Sequence, residues 1–355
     1  MKKKLILMSL VAISAVAVVV GCSNPEGKVK YGDLVFDKEI TAQFDTLTSE
    51  QMWGGTAIIR VIGDKLFAVA YEQGDTPSWL HVFDKTGTEI QDLIPLGRGP
   101  EDAAMINAAQ VCGSKLVLFD PQVYKELTVQ EMPETESFRI EETVKEREKW
   151  VWNISLTDDK EIVYYSPGPK SEEGISTRIA LKNLDGELID ELEVSPFADD
   201  DPMIRFTLEA MRSSFALSEN GKHYAISYSD AGVLQMFTIS DRISKSFTGL
   251  YYPHSMTMKG NQISSPDKSR PFINSMYASD SYLFASFDGE PYRRGENRLL
   301  YNKIAVFDWK GRSRLLINCD YRVEALCYDK PEDTIYAVIV DESGIYRLGK
   351  MKISL

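Results

Sequence analysis

The sequence predicts an all-β protein, a six-bladed β-propeller that an N-terminal strand closes into a ring. Three observations support this fold. Short apolar segments bounded by Gly, Asp, Asn and Pro dominate the chain after Cys22, and long amphipathic helical patterns are nearly absent. One type of strand recurs six times. The last repeat lacks a strand that the N-terminal segment can supply.

The recurrent strand follows a polar turn and carries alternating or continuous apolar residues, as in GDKLFAVAYE (63–72) and GSKLVLFDP (113–121). About 50 residues hold the four short strands of one propeller blade and their loops. A pair of β-sandwiches or a β-solenoid would not explain six related strands at this spacing. The six copies begin at Leu66, Leu116, Ile162, Tyr224, Leu283 and Ile335, so that successive copies lie 50, 46, 62, 59 and 52 residues apart.

A hairpin turn recurs as well, in VFDKTG (82–87), in VFDWKG (306–311) and, in a related form, in NLDG (183–186). The Asp or Asn side chain can hydrogen-bond the turn backbone, and the Gly can take a positive φ. We expect this turn to join the third strand of a blade to its outermost strand.

The last repeat, from Val323 onwards, shows only the three strand patterns VEALCYD, TIYAVIVDE and YRLGKMKI. The segment GDLVFDKEITAQF (32–44) has strand character but no blade of its own. We therefore expect it to supply the missing outer strand, because such closure removes an exposed sheet edge and joins the two chain ends. The propeller would then span residues 32–355.

The first residues predict an exported lipoprotein. Three lysines precede an apolar run, Leu5 to Val20, which ends in Gly21-Cys22 and is followed by SNPEG. This order resembles a bacterial lipoprotein signal, with residues 1–21 as the signal peptide, Cys22 as the lipidated residue and 22–31 as a tether. The apolar run is also near the minimum length of an uncleaved membrane anchor, and a buried structural role is the alternative for Cys22.

The charge of the chain limits its partners. The formal net charge is −13, and removing the signal peptide makes it more negative. Nucleic acid and anionic lipid surfaces are therefore not expected partners, so that acyl chains on Cys22 would provide the membrane attachment. Ser23, rather than Asp, follows the lipidated cysteine, which favours the outer membrane, with the domain facing the periplasm or the cell surface.

The other cysteines are Cys112, Cys319 and Cys327. The last two could form a disulfide across a hairpin, but their apolar strand patterns favour small buried side chains. Their spacing does not match a zinc site, and the chain has only three histidines.

The segment LGRGPEDAA (96–104) is the most specific motif. It follows the outer strand of the first blade and precedes the inner strand of the second, so that a structural crossing from rim to centre is the main expectation. A phosphate loop would need Lys-Ser/Thr and a helix after it, and both are missing. The alternative is a ligand loop in which Arg98 pairs with an anionic group at the mouth of the channel.

The order of lipobox, tether, N-terminal strand, six blades and Gly-Arg-Gly-Pro-Glu loop resembles the TolB-like six-bladed propeller lipoproteins of Gram-negative bacteria. The resemblance covers essentially the whole mature chain and implies a fold and a cell-envelope location. That family is largely uncharacterised, so the resemblance implies no catalytic residues.

Candidate ligand-binding residues lie on the inner strands, which line the channel of a propeller. They include Asn107, Asn153, Asn274 and Glu324, with Gln110, Ser155 and Ser275 nearby in the pattern. Amide and carboxylate oxygens can bind calcium, as in related calcium-dependent hydrolytic propellers. Calcium sites usually contain more than one carboxylate. The alternative is that these side chains form hydrogen bonds with each other and with water in the channel.

Three functions remain open from the sequence. The main expectation is a lipid-anchored binding or interaction module for a glycan, a peptide or an envelope protein, since no set of residues demands catalysis. A calcium-dependent, lactonase-like hydrolase that uses the channel is the second possibility, and a structural partner in an envelope complex is the third. The run YYPHS (251–255) could stack on a ligand, although blade packing is the simpler role.

Overall fold

The computed structural model describes residues 28–31, 34–49, 51, 53–72, 77–135, 137–144, 150–166, 176–264, 268–293, 295 and 299–354. The signal peptide and Cys22 lie outside these residues. Among the residues described, no helix is long and apolar enough to cross a membrane.

The N-terminal segment consists of four short strands, β1 (Val29–Tyr31), β2 (Leu34–Phe36), β3 (Lys38–Thr41) and β4 (Asp45–Thr46). β1 and β2 pair only with each other, whereas β3 and β4 join two blades of the ring.

The first three blades follow in order. Blade one contains β5 (Trp53–Ile62), β6 (Lys65–Glu72), β7 (Ser78–Asp84) and β8 (Glu89–Pro95). Blade two contains β9 (Ala108–Cys112), β10 (Lys115–Asp120), β11 (Lys125–Met132) and β12 (Ser137–Val144). Blade three contains β13 (Val151–Leu156), β14 (Lys160–Tyr165), β15 (Arg178–Asn183) and β16 (Leu188–Glu193).

A short helix, α1 (Pro202–Phe206), and a π-helical turn, Thr207–Met211, precede blade four. Asp201 caps the helix by accepting a hydrogen bond from the Met203 backbone N–H, as expected of an acidic N-cap residue. Blade four contains β17 (Ser213–Leu217), β18 (His223–Tyr228), β19 (Gly232–Ile239) and β20 (Ile243–Tyr252).

Small hairpin strands interrupt the chain around blade five: β21 (Thr257–Lys259), β22 (Gln262–Ser264), β23 (Lys268–Ser269) and β26 (Tyr292–Arg293). Blade five itself contains β24 (Ile273–Ala278), β25 (Tyr282–Phe287), β27 (Lys303–Asp308) and β28 (Ser313–Asn318). Blade six contains β29 (Arg322–Asp329), β30 (Thr334–Val340) and β31 (Tyr346–Lys352), with a single 3₁₀ turn, Lys330–Glu332, between β29 and β30.

Six blades arranged in a ring make the molecule a six-bladed β-propeller, as the sequence predicts. All six recurrent strands are the second strands of their blades, β6, β10, β14, β18, β25 and β30. The repeated turns join third to fourth strands, as expected. In the first of them Asp84 Oδ1 accepts from the backbone N–H groups of Thr86 and Thr88, and Gly87 has a φ of +91°.

An N-terminal strand closes the ring, but the strand that completes the last blade is β4, just beyond the predicted segment 32–44. β4 pairs with β31 through Thr46 and Asp45, and the Leu47 N–H donates to the Leu348 carbonyl at 2.8 Å. Within 32–44, β3 instead adds a fifth strand to blade five, parallel to β28. The physical reason is that blade five also leaves an open outer edge, which the chain covers on its way to blade six.

The core is divided into six clusters, one at each interface between neighbouring blades. The recurrent second strands contribute fully buried residues to these interfaces, which explains their strongly apolar pattern. The N-terminal segment joins this core through Phe36 between blades four and five and through Phe44 between blades five and six.

Candidate functional site

The Gly-Arg-Gly loop makes the crossing from the outer strand β8 to the inner strand β9. Leu96 and Ala103 form an isolated bridge, and Gly97 N–H donates to the Ala103 carbonyl at 3.0 Å, so that the loop closes on itself. The Lys125 ammonium donates to the Gly99 carbonyl at 2.7 Å. The loop is therefore tied to blade two by its backbone.

The two glycines of this loop are needed for space. Their φ angles are not positive, so the backbone conformation does not require glycine at either position. A Cβ atom on Gly97 would lie 2.2 Å from Asp102 Oδ2, and one on Gly99 would lie 2.8 Å from it. The Gly99 N–H donates to this oxygen at 3.0 Å. The carboxylate of Asp102 thus fills the inside of the turn.

Arg98 is exposed on this loop and does not line the central channel. The structure therefore separates it from the other four predicted ligand-binding residues. The function of Arg98 as a ligand contact stays a prediction, and any ligand that it binds would lie outside the channel.

Asn107, Asn153, Asn274 and Glu324 do come together around one cavity of about 730 Å³ in the central channel. They converge because each lies at or near the start of an inner strand, and the inner strands of four blades begin at the same end of the channel. The other predicted channel residues, Gln110, Ser155 and Ser275, line the same cavity.

The hydrogen bonds of these side chains leave one acceptor unpaired. Asn107 donates its amide N–H to the Trp152 carbonyl at 2.5 Å, which fixes the amide, and its Oδ1 is buried without a partner. Asn153 Oδ1 accepts from Ser155 at 3.1 Å and from the Tyr224 hydroxyl at 3.4 Å. A buried acceptor without a partner carries a desolvation cost, which a ligand or water donor in the cavity would relieve.

The helical segment before blade four covers part of the mouth of the channel. Phe206, Ala210, Met211 and Arg212 from this segment line the cavity, together with Trp152 from blade three. Trp152 and Phe206 contact each other with ring centroids 5.6 Å apart. The cavity thus combines an apolar, aromatic side with convergent polar groups, which is the usual composition of a small-molecule site.

Most charges in the cavity are paired. Arg212 lies 3.4 Å from Asp230, and Glu324 lies 2.7 Å from Arg322. Arg60, on the inner strand of blade one, lines the cavity as well. Arg60 and Arg212 are not among the residues predicted from the sequence. A signal was present for Arg60, because it is the one charged residue in the apolar run AIIRVIG (57–63).

The cavity residues do not fit a calcium ion. Glu324 is the single carboxylate among the four predicted ligands, and its charge is already balanced by Arg322, as that of Asp230 in the same cavity is by Arg212. Asn274 directs its amide N–H to the Glu324 carbonyl at 3.2 Å, and two arginines line the same cavity. Calcium prefers several anionic or carbonyl oxygens, so these residues supply too little negative charge.

The YYPHS segment packs within and beside blade four. The Tyr252 hydroxyl donates to the Pro271 carbonyl at 2.8 Å, and the Arg270 guanidinium lies 4.2 Å from the Tyr252 ring centroid. His254 Nε2 lies 3.1 Å from Asp200, and its ring packs against Phe197. These contacts account for the segment as packing.

Among the described residues, one cluster has atoms close enough to hold a metal, formed by His81, Glu89 and Asp92 on the rim of blade one. His81 Nδ1 lies 2.6 Å from Asp92, and its Nε2 lies 3.2 Å from the Ala70 carbonyl. Both ring nitrogens face an acceptor, so hydrogen bonding accounts for the placement of this buried ring.

Cys112, Cys319 and Cys327 are free thiols, and the last two are buried, in agreement with the preferred sequence interpretation. Burial raises the pKa of Cys327 to about 12 and that of Cys112 to about 11, which keeps both thiols protonated and unreactive at neutral pH.

No protein-family model matches the chain, and no curated protein matches it either. Among solved structures, the chain is similar to a Bacteroides fragilis protein inferred to be exported, with 12% identity, a TM-score of 0.52 and coverage of 88% of this chain and 94% of that one. It is also similar to a DUF4221 family member from Bacteroides vulgatus, with 9% identity, a TM-score of 0.50 and coverage of 88% and 97%. A luciferin-regenerating enzyme matches with 8% identity, a TM-score of 0.50 and coverage of 87% and 95%. These similarities show the fold alone.

Proposed function

We propose that this protein is a lipid-anchored binding module of the bacterial cell envelope that takes a small ligand into the mouth of its central channel. The observation that carries the proposal is the cavity of about 730 Å³, which is lined by polar side chains from several blades together with Trp152 and Phe206. The buried, unpaired Asn107 Oδ1 supplies an acceptor for a ligand N–H or O–H group.

The location outside the cytoplasm is part of the proposal. It rests on the lysines, the apolar run and Gly21-Cys22 at the start of the chain, and on the resemblance to TolB-like propeller lipoproteins. The similar Bacteroides fragilis protein, itself inferred to be exported, agrees with this location. Lipidation of Cys22 and placement in the outer membrane would leave the channel open to envelope glycans or peptides.

A Cys22→Ala variant tests the anchor. We expect the wild-type chain to incorporate labelled palmitate and to fractionate with membranes, and the variant to do neither while its propeller stays folded. An acylated, membrane-bound variant would overturn the lipid anchor and leave the channel site untouched.

Thermal unfolding of residues 23–355, which contain every described element of the ring, tests the channel site. The panel contains mono- and oligosaccharides, peptidoglycan fragments, short peptides and calcium. A ligand at a hundredfold excess over its Kd adds about 2.7 kcal/mol, or about 4 °C in Tm for a domain of this size. We expect a shift with a glycan or peptide compound and none with calcium.

Two tryptophan variants show whether a shift comes from the channel. Ala210 lines the cavity, so Ala210→Trp should fill the mouth and abolish the shift. Leu250, on the outer strand of blade four, is 71% exposed, so Leu250→Trp should leave the shift intact. A shift that survives Ala210→Trp would place the ligand elsewhere and contradict the proposed site.

A further inference from the structure

A second, narrower cavity of about 310 Å³ lies at the other end of the channel, beside the turns that contain Gly63 and Gly113. It shares four lining residues with the wide cavity: Arg60, Gln110, Ala216 and Leu217. These four residues therefore form the waist where the two cavities meet. Arg60 is the charged member of the waist.

The Arg60 guanidinium has few internal partners. Among the residues that the structure describes, it forms no ion pair; its Nη1 donates to the carbonyl of the neighbouring Ile59 at 2.8 Å, and it lies 5.9 Å from the Tyr277 ring centroid. Glu219, whose carboxylate lines the narrow cavity, accepts a hydrogen bond from the Tyr277 hydroxyl. An arginine has five N–H donors in a planar arrangement, so most of those on Arg60 have no hydrogen-bond partner among the described residues.

The environment of Arg60 strengthens its attraction for an anion. Arg60 is half-buried, and burial lowers the pKa of its guanidinium, yet an arginine stays protonated at neutral pH. Strand β5 holds it in place between Ile59, which is fully buried in the interface of blades six and one, and Val61. A half-buried cation that forms no ion pair with the described residues gains more from an anionic ligand than a fully exposed one does.

The other charged side chains that line the wide cavity form ion pairs that do not include Arg60. Arg212 is paired with Asp230 at 3.4 Å, and Glu324 is paired with Arg322 at 2.7 Å. Each carboxylate that lines the wide cavity therefore already has an arginine partner, whereas Arg60 has no carboxylate partner in the part of the chain that the structure describes.

We infer that the ligand of the channel carries a carboxylate or phosphate group that binds Arg60 at the waist, with its uncharged, partly apolar body against Trp152 and Phe206 in the wide cavity. This inference rests on the proposed binding function of the channel. Carboxylates and phosphates share the planar or forked oxygen pairs that a guanidinium binds with two parallel hydrogen bonds.

Matched acid and amide probes test the inference. Binding to residues 23–355 is measured by ligand-observed NMR titration with benzoate, benzamide, phenyl phosphate and benzyl alcohol. We expect benzoate and phenyl phosphate to bind about tenfold or more tightly than their neutral counterparts, the ratio typical of a charge-assisted hydrogen bond. Benzoate against benzamide and phenyl phosphate against benzyl alcohol also distinguish a carboxylate site from a phosphate site.

Three variants assign the preference to Arg60. Arg60→Gln should lose the preference for acids while benzamide binds as before, and Arg60→Lys should retain part of it. Arg242→Gln, which removes an exposed arginine on the turn between β19 and β20, is the matched control and should behave as wild type. Circular dichroism and Tm confirm that each variant is folded.

The outcomes separate the two proposals. Equal binding of acids and neutral analogues by the wild type, or an acid preference that survives in Arg60→Gln, would overturn the anionic ligand and leave the channel as a binding site. Failure of all four probes to bind, together with no thermal shift from the larger panel, would overturn the binding function itself.

Discussion

The attachment of the N-terminal segment to the ring can be tested through one side chain, Phe36. This residue lies on β2, is fully buried, and packs against Phe287 and Phe307 of blade five with ring centroids 6.1 and 6.4 Å away. Phe36→Ala would leave a cavity between blades four and five. Replacing a fully buried Phe by Ala costs about 3–5 kcal/mol.

Thermal unfolding measures this cost. Unfolding entropy is about 2.1 cal/mol/K per residue, so a ring of this length should lose about 4–7 °C in Tm. Val35, the neighbouring residue on the same strand, is 50% exposed and provides the control, because Val35→Ala should change the free energy of unfolding by less than about 0.5 kcal/mol. A Phe36→Ala protein with the same Tm as the Val35→Ala protein would refute the packing of this segment onto blade five.

Four further predictions concern the ring, the crossing loop and buried groups. A chain starting at residue 47 lacks β3, β4 and Phe44, and should melt about 5 °C or more below one starting at residue 37; equal Tm values would contradict closure by β4. Gly97→Ala should lower the free energy of unfolding more in the wild type than in an Asp102→Ala background, by about 1 kcal/mol or more, because the new Cβ would meet the Asp102 carboxylate. A double-mutant cycle measured by urea denaturation in which the two effects simply add would disprove this. Burial raises the pKa of Glu209, so its stabilising contribution is present below about pH 4.3 and is lost as pH rises through the folded pKa. The stability of the wild type relative to Glu209→Gln should therefore fall from acidic to neutral pH, and a constant difference would be inconsistent with the buried carboxyl. Dithiothreitol should leave the Tm unchanged, because the described cysteines are free; a lower Tm would reveal a disulfide.

The repeat pattern was sufficient to predict the blades, because each second strand is buried between two neighbouring blades and its residues are restricted to apolar types. Leu66, Leu116 and Ile335 are all fully buried. The closing segment was harder to place, since β3 pairs in parallel with β28 and β4 pairs through only two residues. Such non-local pairings leave no hairpin signal in the sequence.

The polar channel residues were predictable because they fall at the starts of inner strands, as Asn107 and Asn274 do. It was not predictable that Arg60 lines the channel, because the pairing of β5 with β6 shifts register between Gly54 and Ile58. Such an irregularity changes which residues face the channel, and one sequence does not reveal it. The position of Phe206 over the cavity depends on a helical segment that packs by long-range contacts.

A crystal structure of residues 23–355 grown with the panel compound that raises Tm most tests the binding function most directly. We expect the compound in the wide cavity, with a donor group within hydrogen-bonding distance of Asn107 Oδ1 and its apolar part against Trp152. A compound bound on the outer rim of the blades, with the channel filled by water alone, would contradict it.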